Sequence, residues 1–195
     1  MIKLTKDFYA RTDVVKISKE LLGKYLFTKI NNKLTAGMIT ETEAYAGISD
    51  KASHAYNNRR TKRTEVMYAD GGVAYVYLCY GIHHLFNVVT NKKNEPHAIL
   101  IRAIKPTEGI DIILKRRNQK RISANTSGGP GTVSQSLGIM TLHTGTDLTG
   151  NKIWIEDHGI KIRKNQIVSA PRIGVDYAGK DALLPYRFTL SKGTV

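Results

Sequence analysis

Two carboxylates one residue apart stand where an apolar segment ends, in Thr40-Glu41-Thr42-Glu43-Ala44-Tyr45. Side chains alternate along an extended strand, so Glu41 and Glu43 share one face at a sheet edge. A carboxylate in that position can take a proton from water and act as a general base. The alternative is a pair of solvated acids, or acids paired with neighbouring lysine or arginine. Further along comes His54, which can hydrogen-bond to a base edge or stack on one, or can simply be a satisfied polar residue. It is followed by Asn57-Asn58-Arg59-Arg60-Thr61-Lys62-Arg63. Arg59, Arg60, Lys62 and Arg63 form a solvated basic face or a loop that contacts phosphates.

A second group of candidates lies in Gly71-Gly72-Val73-Ala74-Tyr75-Val76-Tyr77-Leu78-Cys79-Tyr80-Gly81-Ile82-His83-His84-Leu85-Phe86-Asn87. Two β-prone runs meet at Tyr80-Gly81 and predict a hairpin. Alternation puts Tyr75 and Tyr77 on one face and leaves Tyr80 on the other face or on the turn itself. An aromatic at a hairpin tip, with Ile82 beside it, suits insertion between base pairs from the minor groove. Internal packing of the tyrosines is the competing reading. Tyr45 and Tyr77 can also stack on an extruded base, cationic purines especially. Asn87, on the returning strand, is placed to reject an undamaged base. His83 and His84 alternate across a strand and no HExxH spacing occurs, so no metal site is expected.

The elements that must hold these residues are mixed. Thr12 and Asp13 offer an N-cap to a helix carrying Val14, Val15, Ile17, Leu21 and Leu22, with Gly23 to end it. Strands are expected over 24–30, 34–43, 73–80, 84–90, 98–105 and 153–156. A second helix is predicted over 107–118, with Lys115, Arg116 and Arg117 at its cation-favouring end, and a third after Pro130. The turn-rich stretch 122–131 reads as a loop. Together these predict one α+β domain over 1–195: a mostly antiparallel curved β-sheet, a protruding β-hairpin and a few flanking helices.

Composition narrows the partner. Among 195 residues, 30 are Lys or Arg and 16 Asp or Glu, a net charge of +14. Such a surface draws polyanions by counterion release and steering, with nucleic acid foremost. A single cysteine, Cys79, excludes an internal disulfide or a cysteine metal centre, and its apolar neighbours suggest a buried small hydrophobe. No run approaches the roughly 18 apolar residues of a membrane span, and Met1-Ile2-Lys3-Leu4 opens no signal-peptide core. An intracellular protein with no membrane partner is expected.

Several segments, taken in order, resemble the alkyladenine-type 3-methyladenine DNA glycosylases. They are Glu41-Thr42-Glu43-Ala44-Tyr45-Ala46-Gly47 with His54, Tyr75-Val76-Tyr77-Leu78-Cys79-Tyr80-Gly81 with Asn87, Leu100-Ile101-Arg102-Ala103 with Pro106, Gly129-Pro130-Gly131, and Ala170-Pro171-Arg172-Ile173-Gly174-Val175. The similarity runs from Phe8 to Phe188. It implies a monofunctional glycosylase of base excision repair, monomeric, without metal or redox cofactor. Its substrate would be duplex DNA bearing damaged purines of the 3-methyladenine, 7-methylguanine, ethenoadenine and hypoxanthine class. The implied fold is similar to the C-terminal domain of methionyl-tRNA formyltransferase, and the implied compartment is cytoplasm, nucleoid or nucleus. By position, Glu43 matches the water-activating carboxylate and Arg102 the arginine supporting it. Tyr45, His54 and Tyr77 match residues enclosing the flipped base, Tyr80 the side chain that fills the gap in the duplex, and Asn87 the residue that disfavours guanine. Arg172 is a candidate DNA-backbone contact. Thr132 stands where the family commonly has lysine, and Ser53, Ile82 and His83 also depart from it. A non-catalytic nucleic-acid-binding module of the same fold is the rival, and retention of Glu43 argues against it.

Overall fold

The computed structural model describes residues 1–191 and 193–194. In chain order its elements are β1 (Ile2–Lys3), α1 (Lys6–Tyr9), α2 (Val14–Glu20), β2 (Tyr25–Ile30), β3 (Lys33–Tyr45), β4 (Ala74–Cys79), β5 (His83–Thr90) and β6 (His97–Glu108). There follow α3 (Ile110–Arg117), α4 (Ala124–Ser127), α5 (Pro130–Leu137), β7 (Ile153–Asp157), β8 (Ile167–Ala170) and β9 (Arg187–Leu190). Every strand pairing is antiparallel. The sheet runs β1-β7-β2-β3-β6-β5-β4, and β9, with β8 beyond it, joins the far half of β3. This is the expected α+β domain.

Local chemistry accounts for the helices. The Asp13 side chain accepts from the Lys16 amide at 2.8 Å and starts α2. Pro130 opens α5 in the first turn, where a missing N–H is harmless. The helix predicted from Thr107 starts later, because Thr107 and Glu108 still belong to β6. Gly109, at φ 67°, makes the turn into α3, and a Cβ there would lie 2.3 Å from the Leu34 carbonyl oxygen. The stretch 122–131, expected to be a loop, instead carries α4 and the start of α5, with Ser123 as N-cap.

Strand alternation sorts side chains onto two faces. Ala44, Ala74, Val76, Phe86, Val88, Ile99 and Ile101 enter the main core, which also gathers Leu4, Ile17, Val133 and Phe188, tying both ends of the chain together. Glu43, Tyr45, Tyr75, Tyr77, Leu85, Asn87, Ala98 and Leu100 point to the opposite face. There the register sets Arg187, Glu43, Leu100, Asn87 and Tyr75 in one row across five strands. Two irregularities interrupt the β3–β6 ladder beside Glu41. Ile39 pairs with Ile104, Glu41 with Ala103, and Thr42 with Ile101, so Thr40 and Arg102 are each unpaired extras. Such bulges bend a sheet and re-aim the extra side chain.

Candidate active site

The second face of the sheet opens into a cleft of about 480 Å³, within the range typical of small-ligand sites, about 300–1,000 Å³. Tyr45, His54, Tyr75, Tyr77, Leu85, Leu100, Arg102 and, from the segment before β9, Ile173 and Tyr177 are among its walls. The sequence-predicted Tyr45, His54 and Tyr77 therefore meet around one cavity. His54 packs edge-on against Tyr77, centroids 4.6 Å apart, and its Nδ1 lies 2.8 Å from the Tyr75 hydroxyl. Tyr75 and Tyr77 lie 5.5 Å apart, as their shared face requires.

Glu43 is 0% exposed and sits one layer behind the cleft wall. Its Oε1 accepts from the Ile173 backbone N–H at 2.8 Å and lies 3.2 Å from Arg102 Nη1, and its Oε2 accepts from the Tyr45 hydroxyl at 2.8 Å. All three of those residues line the cleft, so a shift of Tyr45 would uncover a carboxylate oxygen already held in place. Glu41, on the same face, is different in kind. It accepts from Arg102 Nε and Arg187 Nη1, both at 3.1 Å, and so is committed to two cations. The bulge that frees Arg102 from the ladder lets it bridge both acids.

Burial sets the electrostatics. It raises Tyr45 well above the ordinary phenol range, helped by the Glu43 charge. Tyr75 is pushed up to about 12 by burial, against an opposing effect from Arg63. These phenols stay protonated donors. Burial, aided by Arg63 and Arg59, pushes His54 down to about 4, so its imidazole is neutral near pH 7. In an unfolded chain His54 titrates near 6.5, so below that value the unfolded chain takes up a proton that the native site refuses. Stability therefore falls as pH drops from about 6.5 towards 4, by about 3 kcal/mol from this residue. His54→Asn should flatten that loss. Urea denaturation at pH 4 to 7 measures it, and parallel curves for variant and parent would refute a neutral buried His54.

The hairpin projects beside the cleft. Its turn closes through Ile82 N–H to the Cys79 carbonyl, with Tyr80 at φ 50° and Gly81 at φ 74°. Tyr80 is 90% exposed and Ile82 72%. A bulky residue held at positive φ and in water forgoes about 1–2 kcal/mol of backbone energy and its burial as well. Such an outlier points to a role outside the fold. Cys79, expected to be buried, is half-buried and lines the cleft, because the strand has by then left the core.

Three expected contacts come out differently. Arg172, expected at the DNA backbone, has a side chain 0% exposed and donates to Asp50 Oδ1 at 2.8 Å and to the Ala44 carbonyl at 2.9 Å. Its guanidinium lies over the rings of Tyr45 and Tyr186, at 4.9 and 5.4 Å. It braces the site from within and is closed to a phosphate. Asn87 is 3% exposed and is absent from the cleft lining, since its amide donates to the Tyr75 and Leu85 carbonyls at 3.2 Å. It lies under the floor formed by those two residues. In the basic loop Arg59, Arg60, Lys62 and Arg63 are all exposed, but Arg60 is clamped by Glu65 at 2.7 and 2.8 Å. Thr132, in place of the common lysine, turns its hydroxyl back onto Gly129.

Residues 7–194 match the family described as Methylpurine-DNA glycosylase (MPG). The chain belongs to this family. A relative from Chlamydia felis, provisionally named 3-methyladenine DNA glycosylase, is 48% identical over 189 residues, covering 96% of each chain. Provisionally so named relatives from Clostridium perfringens (strain 13 / Type A) and Desulfitobacterium hafniense are 42% and 39% identical, over 95% or more of each chain. The protein is thus a DNA-repair hydrolase of N-glycosyl bonds acting on DNA with damaged bases. Among the described residues no helix is long and apolar enough to cross a membrane.

Residue-by-residue reading missed part of the glycosylase's cleft. Ile173 lay in a motif with no role attached to it, and Tyr177, 69% exposed with its hydroxyl donating to the Ala52 carbonyl, carried no signal. Both come from the irregular segment before β9, which only the pairing of β9 with β3 delivers to the site.

Proposed function

We propose that this glycosylase, as a single-domain monomer without a cofactor, extracts alkylated or deaminated purines from duplex DNA and hydrolyses their N-glycosidic bond with water activated by Glu43. One observation carries the reading: a fully buried carboxylate, held by an arginine and a backbone N–H, stands directly behind an aromatic cleft that opens beside a solvent-exposed tyrosine wedge.

Tyr80 and Ile82 enter the minor groove while Arg59 and Lys62 hold the backbone, and the damaged nucleotide rotates into the cleft. Unpairing requires a few kcal/mol, least for a damaged base, so selection starts before chemistry. Tyr45 and Tyr77 stack on the base and neutral His54 offers it a ring N–H or lone pair. As Tyr45 turns towards the base, its hydroxyl leaves Oε2 and water takes its place. That water attacks C1′, its proton passes to Glu43, and the C1′–N9 electron pair leaves with the base. Asn87 acts on guanine indirectly, through the positions of Tyr75 and Leu85.

Release of free base from duplexes carrying 3-methyladenine, 1,N6-ethenoadenine or hypoxanthine tests the reading. No release from any of them would overturn it. For the wedge, Tyr80→Ala should weaken flipping, seen as about a tenfold or greater loss in base release. Nonspecific affinity and its salt slope should change little, because they arise from phosphate contacts. Equal loss of both would remove Tyr80 from the wedge role.

A further inference from the structure

A smaller pocket of about 390 Å³ adjoins the cleft and shares His54 and Tyr177 with it as walls. Lys51, Ser53, Tyr56 and Arg59 complete its lining, and no carboxylate is among them. Lys51 and Arg59 are exposed, and neither makes an ion pair among the described residues. Arg60, next in the chain, is by contrast held by Glu65. The nearby acids are engaged elsewhere: Asp50 pairs with Arg172, and Asp181 accepts from the Lys51 backbone N–H at 2.8 Å. With His54 neutral near pH 7, the charge of this pocket is that of Lys51 and Arg59.

The backbone is shaped for this grouping. Asn57 and Asn58 both stand at φ 55°, and the Arg59 N–H closes the turn on the Tyr56 carbonyl at 3.2 Å. Successive left-handed residues reverse the chain, so Arg59 returns to the space lined by Ser53 and Tyr56, and asparagine adopts that conformation at less cost than most residues. The Ser53 hydroxyl accepts from the Ala55 N–H at 3.2 Å and donates its own proton to no protein group among the described residues. Two cations on one pocket repel each other, and an anion between them turns that repulsion into attraction. A phosphodiester matches the set, with one negative charge and oxygens that accept from lysine, arginine and a hydroxyl. The nucleotide in the cleft is bonded to a phosphate on each side, so a pocket sharing two walls with the cleft meets that strand before its complement.

We propose that this pocket is a phosphate seat, in which Lys51 and Arg59, with the Ser53 hydroxyl, hold one backbone phosphate of the lesion strand beside the nucleotide rotated into the cleft. This rests on the glycosylase reading above and adds Lys51 and Ser53 to its DNA contacts. Anchoring that phosphate fixes the strand next to the flipped nucleotide while Tyr80 occupies the gap.

The test pairs Lys51 variants with single-phosphate neutralisation. Affinity is measured for duplexes with a tetrahydrofuran abasic nucleotide at the lesion position, which cannot be cleaved, and with one methylphosphonate placed in turn at each neighbouring position of either strand. Lys51→Gln is expected to weaken binding about fivefold and to lower the salt slope by about one, whereas Lys51→Arg keeps both near wild type. One methylphosphonate in the lesion strand should weaken the wild type to a similar degree and have no further effect on Lys51→Gln, a coupling that a merely structural lysine would not produce. Ser53→Ala should weaken the same phosphate contact by about twofold. Full additivity of Lys51→Gln with every methylphosphonate, or coupling to the opposite strand alone, would overturn the proposal. Coupling at a lesion-strand phosphate in a protein that releases no base from any damaged duplex would support the seat and overturn the glycosylase reading.

Discussion

Glu43→Gln is expected to slow base release about a thousandfold in single turnover, in a protein that still folds and binds lesion DNA. Glutamine matches glutamate in size but cannot take a proton from water, and a positioned base contributes about 10²–10⁴ in rate. Its amide can also place an N–H against the Ile173 N–H, which donates to Glu43 Oε1 at 2.8 Å, or against Arg102, whose Nη1 is ion-paired to Oε1 at 3.2 Å, so the water is held less well. A thousandfold corresponds to about 4 kcal/mol of lost transition-state stabilisation. Glu41→Gln is the matched control. Glu41 ties Arg102 to Arg187, makes no hydrogen bond to Tyr45 and does not itself line the cleft, so its loss should lower the rate by about tenfold through a looser Arg102. Circular dichroism and salt-dependent binding report fold and DNA affinity separately. Glu43→Gln releasing base within tenfold of wild type, or the two variants changing places, would remove Glu43 as the base.

Asp50→Ala is expected to destabilise the protein by about 3–5 kcal/mol, because it strands the Arg172 guanidinium in the interior without its carboxylate. Both side chains are almost wholly buried. Burial works most strongly against the Arg172 cation, and the Asp50 hydrogen bond together with the charges of Asp50, Tyr45 and Glu43 outweighs it, keeping Arg172 above its ordinary value. Asp50 also accepts from the Ala46 and Ala52 amides, so it sets the course of the chain from β3 towards His54. For a domain of this size the loss corresponds to about 10 °C in Tm. Arg172→Met in the Asp50→Ala background should recover part of the stability, since the unpaired charge is gone. A double-mutant cycle by thermal melts quantifies the coupling. A loss below about 1 kcal/mol for Asp50→Ala alone would mean that Arg172 reaches solvent or another partner. Excision should fall as well, because the same guanidinium lies over the Tyr45 ring.

Much of this protein was legible from residue order. Period-two runs marked the central strands, Asp13 and Pro130 marked helix starts, and Tyr80-Gly81 marked the hairpin, since each is a short-range preference of backbone or side chain. The same alternation put Tyr75 with Tyr77 and Glu41 with Glu43. What remained illegible was long-range. β8 and β9 are four residues each and carry little periodic signal. The pairing of β9 with β3, and of β8 with β9, nonetheless brings Ile173 to Glu43 across 130 positions. Arg172, basic and close to that segment, suggested a surface contact, whereas packing placed it against Asp50.

The order of residues alone thus determined the chemical inventory: a strand ending in two acids, aromatics on one face, a tyrosine at a turn, a basic loop and a net charge suited to DNA. Only the tertiary structure sets the surroundings of the two acids apart. The paired bulges at Thr40 and Arg102 turn one arginine towards both carboxylates, and β9 then engages Glu41 through Arg187 while the segment before it meets Glu43 through a backbone N–H. The physical reason is that strand alternation is local, whereas a bulge and a distant backbone donor arise only when strands far apart in the chain come into register.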